Sequence, residues 1–311
     1  MESINPGNNT NEARGLKPEK REHIPTAEKL KIVMVRIASE VNKETEEKYG
    51  LKSLVDASLH INPTFFTKEK GGIYNSDEVF NDEGEVYALD RMNSGADSEG
   101  VQKHYKAEFG VEGQEGIIAK YRENKDISKS NQAEIVITAL LHKVLKEKFL
   151  VVRSAVFDDY KHGIDNLILD KETGMVISAF DEVIENLGDK DKGPSKKIEK
   201  IKKIALKGGT EAKYGIALKD NQLTRAHTRN IPVFYLTLEG KNLTELADSL
   251  FKDSDNNADV EVKLFSHLVQ SIREQKQMLE KLNLPPVVRK NLEGFERSLI
   301  TMENFSVQTK I

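Results

Sequence analysis

The densest apolar patterning in the chain runs from Phe149 to Val183, as FLVVRSAV, DDYKHGIDNLIL, a KETG turn and MVISAFDEV. Short runs rich in β-branched and aromatic residues, separated by turn formers, predict three antiparallel strands in a meander. The first covers Phe149 to Val156 and gives way to a turn at Asp158-Asp159 and Lys161-His162-Gly163. The second covers Ile164 to Leu169, and Asp170 to Gly174 connects it to the third, Met175 to Val183, with a glycine suited to a positive φ. Asp165 opens the second strand, and Asp181-Glu182 closes the third.

Helical periodicity flanks this meander on both sides. Asn131, with Glu134 three residues on, reads as a capping box before Ile135, Ile137, Ala139, Leu140, Leu141, Val144 and Leu145, the spacing of a largely buried helix. Pro194-Ser195 opens a second helix to about Lys207, stopped by Gly208-Gly209. Two more strands are predicted at Lys213 to Lys219 and Ile231 to Leu238, with Pro232 at a strand start, where a missing N–H is tolerated. Thr224 to Asn230 between them reads as a basic loop, with Arg225, His227 and Arg229 at alternate positions, either approaching a phosphate or simply exposed. This order predicts an α/β fold with helices against both faces of a mixed sheet.

The outer parts of the chain are patterned differently. Met1 to Ile24 is polar and reads as a disordered leader. Pro25-Thr26 starts a helix to about Tyr49, with Leu30, Val33, Met34, Ile37 and Val41 on one face and Gly50 as its stop. Its polar face carries Glu40, Glu44, Glu46 and Glu47, which is unlike a membrane-seeking helix. The acidic stretches at Asp77-Glu78, Asp82-Glu83 and Asp97 to Gly100 lack the ligand spacing of a calcium loop and read as plain loops. Asn242 caps a helix through Phe251, and Asp253 to Asp259 reads as a linker.

Val262 to Leu282 and Val287 to Phe305 form two amphipathic helices expected to lie antiparallel across Pro285-Pro286. Their faces, with Leu264, Leu268, Ile272 and Leu279 on one and Leu292, Phe295 and Leu299 on the other, either cover the core or join a second copy in a homodimer. The expected organisation is a leader over 1–24, an irregular helical region over 25–128, an α/β core over 129–252 and a helical hairpin over 259–305.

Composition narrows the chemistry. With 311 residues and 38% hydrophobic content the chain can bury a sizeable core. The absence of cysteine excludes disulfides, cysteine-zinc sites and thiol nucleophiles. A net charge of −4 means that affinity for nucleic acid has to come from a local patch. The candidate is the stripe Lys196, Lys200, Lys203 and Lys207, opposite Ile198, Ile201 and Ala205. The seven histidines show no zinc-ligand spacing, and His162, between Asp159 and Asp165, is the one with a suggestive address. Gly240-Lys241-Asn242 lacks the rest of a P-loop. Apolar runs are of strand length and no opening segment has signal-peptide form, so a cytoplasmic protein without a membrane role is expected.

Over roughly residues 130–240, the element order, Gly163-Ile164-Asp165 at the head of the second strand and the acidic doublet ending the third resemble the core of the PD-(D/E)XK nuclease-like superfamily. The resemblance implies a restriction-endonuclease-like core with additional N- and C-terminal helices. It also implies a magnesium ion bound by Asp165 and Asp181. Glu182 stays an alternative ligand, because strand alternation separates the doublet onto opposite faces unless a bulge intervenes. Glu134, from the first helix, is a further carboxylate the resemblance offers. In the family a lysine two positions after the second acid orients the attacking water; here Val183 stands there, and Lys161 or Lys196 would have to replace it. The implied function is magnesium-dependent hydrolysis of phosphodiesters in DNA or RNA. The alternative is a catalytically inactive relative that binds nucleic acid or a protein partner.

Overall fold

The apolar runs pair as strands, Phe149–Arg153 and Asn166–Asp170 being buried along their whole length on both faces, and the helices close over them. The computed structural model describes residues 24–82, 98–113, 128–185, 194–252 and 258–308, with single positions at 86, 116, 120 and 123. Side chains of 98, 99, 101, 178–195, 307 and 308 are outside that description. The expected leader, all but Ile24, and most of the expected linker at 253–259 lie outside the described residues.

In chain order the elements are α1 (Thr26–Tyr49), α2 (Ser98–Phe109), α3 (Lys129–Leu145), β1 (Phe149–Arg153), α4 (Val156–His162), β2 (Asn166–Asp170) and β3 (Val176–Glu185). They continue with α5 (Pro194–Leu206), β4 (Thr210–Lys219), β5 (Gln222–Ile231), β6 (Val233–Glu239), α6 (Leu243–Lys252), α7 (Asp259–Glu280) and α8 (Pro286–Gln308). One sheet has the order β1-β2-β3-β6, and β4-β5 form a separate hairpin. The first two pairings are antiparallel and β3 runs parallel to β6, so the chain is a mixed α/β protein. A parallel neighbour requires a long crossover, here supplied by α5 and the hairpin. The hairpin turns at Asp220 and Asn221, both at positive φ, as a tight two-residue turn demands.

Both sheet edges are covered. At β6 the side chain of Gln275 on α7 accepts from Tyr235 N and donates to Tyr235 O, each at 2.7 Å, taking the place of a neighbouring strand. At β1 the segment 59–61 bonds to Arg153 through its N and O. The α8 helix lies over the sheet, with Phe295 against Phe234 at 5.4 Å and Ser298 bonded to Asp170. The predicted apolar faces of α7 and α8 are buried within the chain, and α1 joins the same cluster through Leu30, Val33 and Val41. A buried carboxylate, Glu261, accepts from Lys143 at 2.7 Å and Ser249 at 2.6 Å, tying α3 and α6 to α7. Among the described residues no helix is long and apolar enough to cross a membrane.

Four local expectations are corrected. The first strand ends at Arg153, and the expected strand end and turn form α4, whose Asp158-Asp159 and Lys161-His162 sit at the ends that suit a helix dipole. Helix α3 begins at Lys129, capped by Ser128 Oγ accepting from Asn131 N, so Asn131 and Glu134 are not a capping box. Thr224 to Asn230 is the middle of strand β5 rather than a loop. Residues 76–82 are helical, and Asp82 is buried, accepting from Tyr214 Oη at 2.5 Å and Lys213 Nζ at 2.6 Å.

Candidate functional site at the head of strand β2

The segment from β1 through α4 to β2 delivers Asp165. Gly163 ends α4 in the left-handed region at φ 63°, and the chain turns into β2 over Ile164-Asp165. Ser154 holds this turn from the end of β1: its N donates to Asp165 O at 2.9 Å and its Oγ to Ile164 O at 2.5 Å. Asp158 fixes α4 beneath it. Fully buried, its carboxylate accepts from the amides of Lys213 at 2.7 Å and Tyr214 at 2.9 Å and hydrogen-bonds His162 Nδ1 at 2.8 Å. Asp165 itself is half-buried.

On one face of this end of the sheet is a polar row that the sequence pattern did not disclose. Arg153 pairs in register with Asn166, and Asn166 with Ala179. Arg153 is 2% exposed, and its Nη2 donates to Asn131 Oδ1 and Glu134 Oε2, both at 2.8 Å. Thr138 Oγ1 donates to Asn166 Oδ1 at 2.8 Å, and Arg153 Nε is buried without an acceptor among the described residues. Glu134, expected as a metal ligand, therefore has its carboxylate in an ion pair with a buried guanidinium.

The acidic doublet falls at an irregularity of β3. Phe180 pairs with Tyr235 and Val183 with Thr237, so the register against β6 shifts across Asp181 and Glu182. Such a bulge sets two residues opposite one, and it is the condition under which neighbouring residues need not project to opposite faces. The side chains of Asp181 and Glu182 lie outside the described residues. Carboxylates on neighbouring strands are the oxygen donors that magnesium takes. Among the described residues no three His, Asp or Glu side chains gather closely enough to hold a metal, so such a site depends on the doublet together with Asp165.

The cations are arranged unevenly. Lys161, at the end of α4, and Lys196, in the first turn of α5, are both exposed. Lys200, about one turn beyond Lys196, reaches the turn: its Nζ lies 3.7 Å from where a Cβ on Gly163 would sit. The stripe Lys196, Lys200, Lys203 and Lys207 is exposed throughout, while Ile201 and Ala205 are buried, as the spacing predicts. The basic positions of β5 are largely engaged. His227 and Arg229 reach Glu211 at 3.0 and 3.5 Å, and His162 approaches the same carboxylate at 3.5 Å. Beyond them, Lys213 Nζ rests among the rings of Tyr74, Phe157 and Tyr214, paired with Asp82 and Glu78, and burial pushes the Tyr74 phenol up to about 12.

Compared with known proteins, the chain matches no family model, no curated protein and no solved structure.

Proposed function

We propose that the chain is a nuclease-like protein of restriction-endonuclease-like topology that hydrolyses phosphodiester bonds in DNA or RNA with magnesium. The observation that carries this reading is the register shift of β3 at Asp181-Glu182, two residues beyond the Ala179 that pairs with Asn166, the neighbour of Asp165. Bulges occur beside active sites because they re-aim a side chain. Asp165 with Asp181 or Glu182 would hold the cation. When bound there, magnesium supplies an activated water and a counter-charge for the phosphoryl oxygens. Lys200, beside Gly163, supplies a positive charge in place of the lysine that Val183 lacks. The remaining lysines of α5 hold backbone phosphates, which makes binding fall steeply with salt.

A second reading, a non-catalytic binder of nucleic acid, is favoured by the Glu134–Arg153 ion pair, which withdraws one carboxylate, and by Val183. Incubating the full chain with labelled single- and double-stranded DNA and RNA separates the two. Hydrolysis requires cleavage that depends on magnesium or manganese, disappears in Asp165→Ala and Asp181→Ala, and drops about a hundredfold in Lys200→Ala. Binding that survives these substitutions without turnover in either metal supports the second reading and rejects the first.

A further inference from the structure

Away from the head of β2, the turn after α1, the segment around Pro63–Phe66 and strand β5 enclose a cleft of about 300 Å³. It is lined by Ser53, Asn62, Thr64, Phe65, Lys70 and Arg225, with Lys52 beside them. Its charge is positive. Of the three cations only Lys52 has a described acidic partner, Glu46 at 2.9 Å on the surface. The carboxyl end of α1 also reaches this cleft at Gly50, but its carbonyls at Thr45 and Glu46 are already bonded to the amides of Leu51 and Gly50.

Arg225 is the built part of the site. Its Nη1 donates to two main-chain carbonyls, Phe65 O at 2.7 Å and Lys70 O at 2.6 Å, and its guanidinium lies 4.3 Å from the centre of the Phe65 ring. These contacts fix the plane of the group while leaving the donors on Nε and Nη2 without an acceptor among the described residues. That edge is the one that meets an oxyanion in bidentate fashion. Burial holds the Arg225 pKa below its ordinary value.

Neighbouring groups add neutral donors. Asn62 Oδ1 accepts from Thr64 N at 3.0 Å and Thr64 Oγ1 at 2.8 Å, which orients the amide and leaves its Nδ2 without a described partner. Ser53 sits in the left-handed region at φ 55°, a conformation that non-glycine residues keep only where surroundings enforce it, as in ligand clamps. Its hydroxyl likewise has no described partner.

We propose that this cleft binds a phosphate group, carried by a mononucleotide or by a nucleic-acid strand, with Arg225 gripping it and Lys52 and Lys70 balancing its charge. The site is independent of the hydrolysis proposed at β2. Calorimetric titration of the full chain with inorganic phosphate, AMP and a short DNA oligonucleotide tests it. Saturable binding is expected, weakened about tenfold or more in Arg225→Lys, which keeps the charge but loses the bidentate fork. Because Arg225 also fastens the 63–71 segment, the double variant Lys52→Gln/Lys70→Gln serves as a second probe. It is expected to bind roughly tenfold more weakly with an unchanged melting temperature. A preference for AMP that is lost in the Arg225 and Lys52/Lys70 variants identifies a mononucleotide site, and a preference for the oligonucleotide lost in the same variants a strand site; either supports the proposal. Failure of all three probes to saturate, affinity unchanged in both sets of variants, or binding abolished by Asp165→Ala instead overturns it.

Discussion

Asp158→Ala should destabilise the chain more than any other removal of a single carboxylate beside the β2 turn. The side chain is fully buried and accepts from two backbone amides of β4 besides hydrogen-bonding His162. Each buried amide left without an acceptor costs about 1–3 kcal/mol, so the two together predict a loss of about 4 kcal/mol. With a urea slope of about 3 kcal/mol per molar for a chain of this size, the midpoint should fall by roughly 1.3 M. Asp158→Asn keeps one oxygen acceptor but faces the other amide with an NH₂ group, and should lose about half as much. Urea unfolding followed by circular dichroism measures the midpoints, and hydrogen exchange should show the Lys213 and Tyr214 amides losing protection first. A midpoint in Asp158→Ala within about 0.3 M of the parent would refute the assignment of Asp158 as the anchor between α4 and β4.

Three further outcomes are expected. Gly72→Ala places a Cβ 2.1 Å from the backbone C and O of Phe66, which only a backbone shift relieves, and should cost about 3 kcal/mol in thermal or urea unfolding. Gln275→Leu removes the side chain that bonds the buried N and O of Tyr235 and should cost about 2–4 kcal/mol; unchanged protection of the β6 amides would speak against the edge role of Gln275. The hydrogen bond from His142, with help from Lys146 and against burial, holds the Glu40 carboxyl down to about 2. Its folded pKa is depressed, so its contribution is present above the ordinary carboxylate pKa of 4.5 and is lost as pH falls from there toward 2. Glu40→Gln should flatten that part of the stability profile by less than about 1 kcal/mol, because a 44% exposed side chain is screened by solvent.

Elements whose pattern is local were legible in the sequence. The inward residues of α1 all prove buried, Gly50 stops that helix in the left-handed region, and α5 presents its lysines outward as its spacing predicts. Elements settled by distant contacts were not. Val156 to His162 opens like a strand and continues like a turn, yet forms a helix in which amides 55 and 56 residues away bond Asp158. Arg153 lies inside the run read as the first strand, and its ion pair with Glu134 across β1 and α3 has no sequence signature beyond a lone charge in that run. Between Leu223 and Ile231, β5 carries one apolar side chain, Ala226, so its middle gives no alternating pattern to read, and the pairing with β4 does not show in the sequence. The bulge at Asp181-Glu182 depends on a parallel partner more than fifty residues later, which a period-two pattern cannot register.

Whether carboxylates from the β2 head and the β3 bulge share one cation is decided by titrating the full chain with manganese and following free metal by electron paramagnetic resonance. One saturable site is expected, displaced by magnesium and weakened at least tenfold by Asp165→Asn and again by Asp181→Asn/Glu182→Gln, and left unchanged by Lys161→Ala and Lys196→Ala. No saturable site, or one that persists unchanged in both carboxylate variants, would contradict it.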